Sequence, residues 1–209
     1  MDDTGREQAF INAVATEHFV TQAARSAIVG EMTGRAMLYM GAVSSALIAF
    51  GFLAQTQELT PFVAGVMPAL LLLGEFTFAA LLRNSFENLV LMRHMQRIRA
   101  YYRSLVSDSH GVFDAPEGDL VFSAAMATVG TRGHLGQALF TGASTVAAVN
   151  AILGAVGAAL LLARIGVSVG FAVAVGVPIG IAFFGAHVVY EQRFLAPVSG
   201  PEGVSRESN

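Results

Sequence analysis

The sequence has no cysteine, no lysine and no tryptophan, and it has few charged residues of either sign. Without cysteine the chain cannot form disulfide bonds, thiolate metal sites or a thiol nucleophile. Only 13% of its 209 residues are charged, whereas soluble domains carry roughly a quarter. The net charge of -3 leaves no basic excess, so we expect no nucleic acid partner.

Sequence motifs of the common enzyme classes are absent as well. We find no glycine-rich phosphate loop, no Gly-x-Ser-x-Gly elbow and no His-Glu-x-x-His zinc motif. His94, His134 and His187 are expected near one membrane boundary together with Glu191, but no two histidines have the i, i+4 spacing of helical metal ligands. We therefore expect no enzyme activity, no metal and no cofactor.

Long apolar segments are what the chain does contain. Hydrophobic residues make up 54% of it, and the mean hydropathy is +0.60. At about 1.5 Å per residue, a helix of about 20 residues crosses a hydrocarbon core of about 30 Å. The alternative, helices buried in a soluble core, is disfavoured because such cores rarely use apolar runs of about 25 residues. We predict an all-α integral membrane helical bundle with four transmembrane helices, at 36–54, 62–82, 136–163 and 166–190.

The distribution of arginine predicts the orientation of the spans. The two short loops, 55–60 and 164–165, contain a single arginine, Arg164. The positive-inside rule therefore places the N-terminus, the middle segment and the C-terminus in the cytoplasm. Because all 12 basic residues are arginine, as is typical of GC-rich bacterial genomes, we expect a multi-pass protein of the bacterial inner membrane. The arginines of the opposite side include Arg25, Arg35, Arg83, Arg93, Arg97, Arg99, Arg103, Arg132 and Arg193.

Polar segments divide the chain into two hairpins. Residues 1–35 carry apolar residues at helical spacing, which predicts a cytoplasmic amphipathic helix leading into the first span. Glycine, proline and aspartate mark a linker after the first hairpin. The predicted units after residue 35 are hairpin 1 (36–107) with a cytoplasmic helical extension (83–107), a cytoplasmic linker with a short helix (108–135), hairpin 2 (136–193) and a disordered tail (194–209).

The extension after the second span has a heptad-like apolar seam, flanked by arginines. We expect this seam to pack on the N-terminal helix, either within one chain or between subunits. Two interpretations of the arginines stay open: a solvated face near lipid headgroups, or a specific lipid or anion site. The seam residues are Leu91, Met95, Ile98, Tyr102 and Leu105, and the arginines are Arg93, Arg97, Arg99 and Arg103.

Glu75 is the most informative residue, because a carboxylate in the bilayer is costly unless it faces protein, water or an ion, or is protonated. It lies eight residues before Arg83, about 12 Å from the cytoplasmic boundary. The same arithmetic brings polar groups of the other spans to this layer, and proline there frees a backbone carbonyl. Such oxygens suit a cation or a relayed proton. The predicted ion path or proton-binding layer comprises Glu75, Ser44, Ser45, Ser144, Thr145 and Pro178.

A second interpretation of Glu75 involves no transport. The carboxyl is then protonated and hydrogen-bonds Ser45 or a neighbouring helix, which stabilises the bundle. Asn150 is interpreted in this way, as a polar contact between helices. Small residues at i, i+4 spacing also predict close helix packing. They are Gly41, Gly166, Gly170, Gly176 and Gly180.

Three features within about 25–105 carry a family resemblance: Gly34-Arg-Ala-Met-Leu-Tyr-Met-Gly-Ala-Val-Ser-Ser-Ala-Leu-Ile-Ala-Phe-Gly-Phe, Glu87 and Arg93-His-Met-Gln-Arg-Ile-Arg-Ala-Tyr-Tyr102. In these features the chain resembles a group of small bacterial four-span membrane proteins of unknown function. The resemblance implies the same topology and assigns no activity. The order of helix, two spans and helix is also similar to two-span SLATT-type membrane effectors of bacterial conflict systems, which are thought to form pores.

Together these features predict a homo-oligomeric ion channel or pore with Glu75 in its conduction or gating layer. Several copies are expected because four spans give one subunit little room to enclose a water-filled path. Two alternatives stay open: a non-conducting membrane scaffold that binds a partner through its cytoplasmic helices, and a small proton-coupled transporter. The expected partners are the lipid bilayer, further copies of the chain and ions.

Overall fold

The computed structural model describes residues 3–105 and 141–199 of the chain. Within these residues the chain is helical and has no strand. Each helix is long and apolar enough to cross a membrane, as predicted. The predicted linker, 108–135, lies outside the described residues. The helices are α1 (Asp3–Leu53), α2 (Leu59–Leu105), α3 (Gly142–Arg164) and α4 (Val169–Ser199).

The first two helices are much longer than a bilayer is thick. With 51 and 47 residues, α1 and α2 extend for about 76 and 70 Å at 1.5 Å per residue. The N-terminal helix and the first span, predicted as neighbours, form one continuous helix because no proline or turn sequence interrupts residues 3–53. Pro61 lies in the first turn of α2, where its missing N–H removes no helical hydrogen bond.

We call residues 3–35 of α1 and 83–105 of α2 the extension. Its two helices pack against each other in antiparallel order within one chain, which is the first of the two arrangements left open by the sequence. The Phe10 and Tyr101 rings meet edge to face with centroids 5.4 Å apart. Further along, His94 Nε2 lies 3.1 Å from Glu17 Oε1, and Arg25 Nε donates to Asn88 Oδ1 at 3.0 Å.

The predicted seam on α2 lies mainly at this contact. Met95 and Ile98 are buried, Leu91 and Tyr102 are half-buried, and Leu105 at the helix end is exposed. The flanking arginines lie further out: Arg97 and Arg103 are exposed, and Arg93 and Arg99 are half-buried.

The second hairpin differs from its prediction at both ends. Thr141 caps α3, so the helix begins at Gly142 and not at 136. Gly166 has a positive φ of 89°, which places it in the tight turn between α3 and α4. Helix α4 then runs to Ser199, so the helix continues beyond the predicted end of the span at 190 and includes residues 194–199, which were predicted to be disordered. The rest of the predicted tail, 200–209, lies outside the described residues. We call the end of the bundle formed by segments 54–58 and 165–168 the loop end.

Two of the predicted packing glycines bring α4 onto α3. A Cβ atom on Gly176 would lie 2.6 Å from the Ala155 carbonyl oxygen, and one on Gly180 would lie 2.9 Å from that of Ala151. Backbone atoms cannot move aside as side chains do, so only glycine allows this approach. Gly41 and Gly170 face open space in the described chain, and Gly166 lies in the turn, so none of these three packs two helices of the described chain together.

Candidate functional site

Each of the four helices contributes one polar side chain to a single cluster in the apolar part of the bundle. The four residues are Tyr39 of α1, Glu75 of α2, Asn150 of α3 and His187 of α4. Tyr39, Asn150 and His187 are buried. We call this cluster the Glu75 network.

Asn150 connects three of the four helices. Its Oδ1 accepts a hydrogen bond from the Tyr39 hydroxyl at 2.5 Å. Its Nδ2 donates to Glu75 Oε1 at 2.9 Å, and it also lies 3.4 Å from the carbonyl oxygen of Leu71. A fully buried amide whose oxygen and nitrogen both find partners is held in one orientation. Asn150 therefore positions the Glu75 carboxyl group.

His187 approaches the same carboxyl group from α4. Its Nε2 lies 3.1 Å from both carboxyl oxygens of Glu75. Its Nδ1 lies 2.8 Å from the carbonyl oxygen of Phe183, which only accepts, so Nδ1 carries a proton and donates it. Nε2, the other ring nitrogen, faces the carboxyl group directly.

The protein surrounds the imidazole with aromatic rings. Phe78 and Phe183 both meet His187 edge to face, with centroids 4.6 Å away. The side chain of His187 is 8% exposed, whereas that of Glu75 is 42% exposed. The Glu75 side chain thus contacts the imidazole and is also partly exposed at the surface of the bundle.

Gly74 makes room for this arrangement. A Cβ atom at position 74 would overlap the side-chain amide of Asn150, and Gly74 is itself buried. The glycine next to Glu75 is therefore part of the site, since any other residue would displace the amide from Glu75.

A second polar cluster lies at the start of α3. The Thr141 hydroxyl accepts from the Ser144 N–H at 3.0 Å and donates to Glu191 Oε1 of α4 at 2.8 Å. Glu191 is 1% exposed, and its Oε2 has no hydrogen-bond partner among the described residues. Glu191 lies one helical turn beyond His187, on the same face of α4.

The prediction for α3 identified the wrong residues at the level of Glu75. Ser144 lies in the first turn, where its hydroxyl bonds to Thr141, and the Thr145 hydroxyl donates to the Thr141 carbonyl at 3.1 Å. The prediction failed because α3 begins at Gly142, six residues later than predicted. Residue 150 is therefore as far from the start of the helix as residue 144 was expected to be. Asn150, predicted as a packing contact only, is the α3 residue that meets Glu75.

Two further members of the predicted layer also lie elsewhere. Ser44 and Ser45 are exposed on α1, because the buried face of that helix carries Tyr39 and Val43 instead. Pro178 is exposed and lies nine residues before His187, about 14 Å along α4. Of the predicted layer, only Glu75 belongs to the network.

Tyr39, Gly74 and the contact of His187 with Glu75 were not predicted. His187 was expected near the inner boundary, because span four was expected to end at 190. Within residues 3–105 and 141–199, no three histidine, aspartate or glutamate side chains come together as metal ligands would. The chemistry available at the site is hydrogen bonding and proton transfer between a carboxyl group and an imidazole.

Comparisons with known proteins give no relative. No family model matches the chain, and no curated protein or solved structure is significantly similar to it. The resemblance to small four-span bacterial membrane proteins therefore stays a prediction.

Proposed function

We propose that this membrane protein translocates protons, and that Glu75 and His187 form its proton-binding site. The observation that carries the proposal is the position of His187 Nε2, 3.1 Å from both carboxyl oxygens of Glu75 in the apolar part of the bundle. Ionisable residues inside membrane helices are costly and mark proton and ion pathways, and histidine exchanges protons readily near neutral pH.

One proton shared by the pair gives two forms without net charge. In the first, the Glu75 hydroxyl donates to neutral Nε2. In the second, that proton has moved to Nε2, and a carboxylate faces an imidazolium. Nδ1 keeps its own proton in both forms through its bond to the Phe183 carbonyl. A second proton that arrives from one side, followed by loss of the first to the other side, restores the starting form and carries one proton across.

The proposal places the partners of Glu75 within its own chain. The sequence predicts a path formed by several copies, whereas the hydrogen bonds from Asn150 and His187 support a site inside one bundle. Assembly into a homo-oligomeric channel stays a prediction. The 42% of the Glu75 side chain that is exposed is where water or a neighbouring copy would reach it.

Proton flux into proteoliposomes tests the proposal. With an imposed membrane potential and an internal pH dye, the wild-type protein is expected to acidify the vesicles faster than protein-free liposomes. Glu75→Gln and His187→Gln should reduce flux to the protein-free rate, because neither amide exchanges a proton. Glu58→Gln, which changes an exposed carboxylate near the loop end, is the matched control and should retain wild-type flux.

Wild-type flux no faster than that of empty liposomes would overturn the proposal. Equal flux in wild type and Glu75→Gln would also overturn it, because the pair would then not carry the proton.

We further propose the orientation that the arginines predict, with both termini in the cytoplasm of a bacterium and the loop end outside. Because the natural chain has no cysteine, a single introduced cysteine is a unique label. In intact spheroplasts a membrane-impermeant maleimide should label Gln57→Cys at the loop end and should label Ser104→Cys in the extension only after permeabilisation. The opposite pattern would reverse the orientation, and labelling of both in intact cells would exclude a spanning hairpin.

A membrane scaffold is the second candidate, and the surface of the extension favours it. Phe19 is 71% exposed, Val20 57% and Val29 49%, although these residues lie beyond the predicted first span. Large apolar side chains exposed to water often mark a protein contact. If the wild-type protein conducts no protons, this surface becomes the leading site of function.

A further inference from the structure

An apolar cavity lies near the loop end, between the α1–α2 hairpin and α3. Its volume is about 480 Å³, within the roughly 300–1,000 Å³ typical of ligand pockets. Phe50, Met67 and Leu161 form part of its wall. An adjoining space of about 340 Å³ shares Phe50 and Met67 and extends between α1 and α3. At its inner end the cavity reaches Leu71, one helical turn before Glu75.

The polar side chains on the wall are confined to the mouth. Among the described residues that line the cavity, only Thr60 and Arg164 are polar. Arg164 is the last residue of α3, and its guanidinium donates a hydrogen bond to the Thr60 hydroxyl across the mouth. It is also the only basic residue in segments 54–60 and 164–168. Arg164 is therefore the only charged residue among the described residues that line the cavity, and its charge lies at the mouth, where a bilayer changes from acyl chains to headgroups. The exposed carboxylate of Glu58 lies in the neighbouring loop and does not line the cavity.

These features indicate the chemistry of the occupant. A cavity with an apolar wall gains nothing from water, which would find few hydrogen-bond partners there. Lipid acyl chains surround a membrane bundle on every side. A chain can therefore enter an apolar cavity without losing an apolar environment, so the free-energy cost of filling the cavity is small. The guanidinium at the mouth complements a phosphate, which arginine binds through paired N–H donors.

We propose that this cavity binds an acyl chain of an anionic phospholipid, with the lipid phosphate on Arg164 and the chain end near Leu71. The site is separate from the Glu75 network and does not depend on proton translocation. A free fatty acid and a helix of a second copy of the chain are the competing occupants.

Photolabelling in liposomes tests this site. The probe is phosphatidylglycerol with a diazirine at the end of one acyl chain, present as a minor component in phosphatidylcholine. The label should concentrate on the α2 and α3 residues of the cavity wall. Ala158→Phe, which fills the cavity, should abolish this labelling. The matched control Ala174→Phe, at an exposed position of α4, should leave it unchanged.

The charge at the mouth is tested separately. Arg164→Gln should lower labelling by the anionic probe about fivefold, the factor that one arginine near an anionic headgroup contributes. Labelling by the same probe with a phosphatidylcholine headgroup should change less. Arg193→Gln, an exposed arginine of α4 far from the loop end, should have no effect.

Labelling spread evenly over exposed apolar residues of α4, or unchanged by Ala158→Phe, would overturn the proposal. Displacement of the probe by palmitate but not by unlabelled phosphatidylglycerol would assign the site to a free fatty acid instead. Cross-links between two copies at the cavity residues would assign it to an interface.

Discussion

His187→Leu is expected to lower the free energy of unfolding by about 2–3 kcal/mol, between the roughly 1 kcal/mol of one interhelical hydrogen bond in a membrane and the 3–5 kcal/mol of a broken buried ion pair. The variant leaves the Glu75 carboxyl with Asn150 as its only hydrogen-bond partner among the described residues. It also replaces a ring that packs against Phe78 and Phe183. Reversible unfolding in mixed micelles, followed by circular dichroism, measures the loss.

The double variant Glu75→Met/His187→Leu separates stability from function. Replacing both members of a buried pair by apolar residues of similar size is often neutral, so the double variant should be more stable than His187→Leu alone. It should still conduct no protons. If His187→Leu alone were as stable as the wild type, the contact between His187 and Glu75 would not form in the membrane.

Gly74→Ala is expected to lower the free energy of unfolding by about 2 kcal/mol, within the 1–3 kcal/mol range for overpacking a well-filled interior. The added methyl group occupies the place of the Asn150 amide, which must then release Glu75, Tyr39 or both. The same variant should reduce proton flux, because the carboxyl group loses the contact that positions it.

Gly65→Ala is the matched control, on the same helix but facing open space. There the change should be neutral or stabilising by up to about 1 kcal/mol, since alanine favours a helix more than glycine does. In an Asn150→Ala background, Gly74→Ala should cost much less, because the clash has been removed. An equal cost in both backgrounds would show that Gly74 acts through something other than Asn150.

The four helices were predictable because apolar runs of about 20 residues are a local property of the sequence. The extension was predictable for a similar reason. Apolar residues three positions apart, such as Met95 and Ile98, lie on the same face of a helix, and this does not depend on what that face contacts. Glu75 stands out because an acid within an apolar run is rare and costly. These conclusions need no knowledge of which helices are neighbours.

The partners of Glu75 depended on helix ends that distant residues determine. Helix α3 begins at Gly142 because Thr141 caps it, and Thr141 in turn bonds to Glu191, 50 positions further along the chain. Helix α4 continues past residue 190, and Glu191 is buried there against Thr141. His187, one turn earlier on α4, contacts Glu75. A smaller signal was present in the sequence, since Gly74 next to an acid within a long apolar run suggests a close approach of another group.

The sequence alone therefore determined the number of helices long and apolar enough to span a membrane, their long continuation into the extension and the one acid within an apolar run, because all three depend on residues close together along the chain. The tertiary structure alone decided that Asn150 and His187 meet this carboxyl group and that Tyr39 bonds to Asn150, while Ser44, Ser144 and Pro178 lie elsewhere. The physical reason is that a helix shifted by six residues, or rotated by a third of a turn, presents different side chains at the same depth.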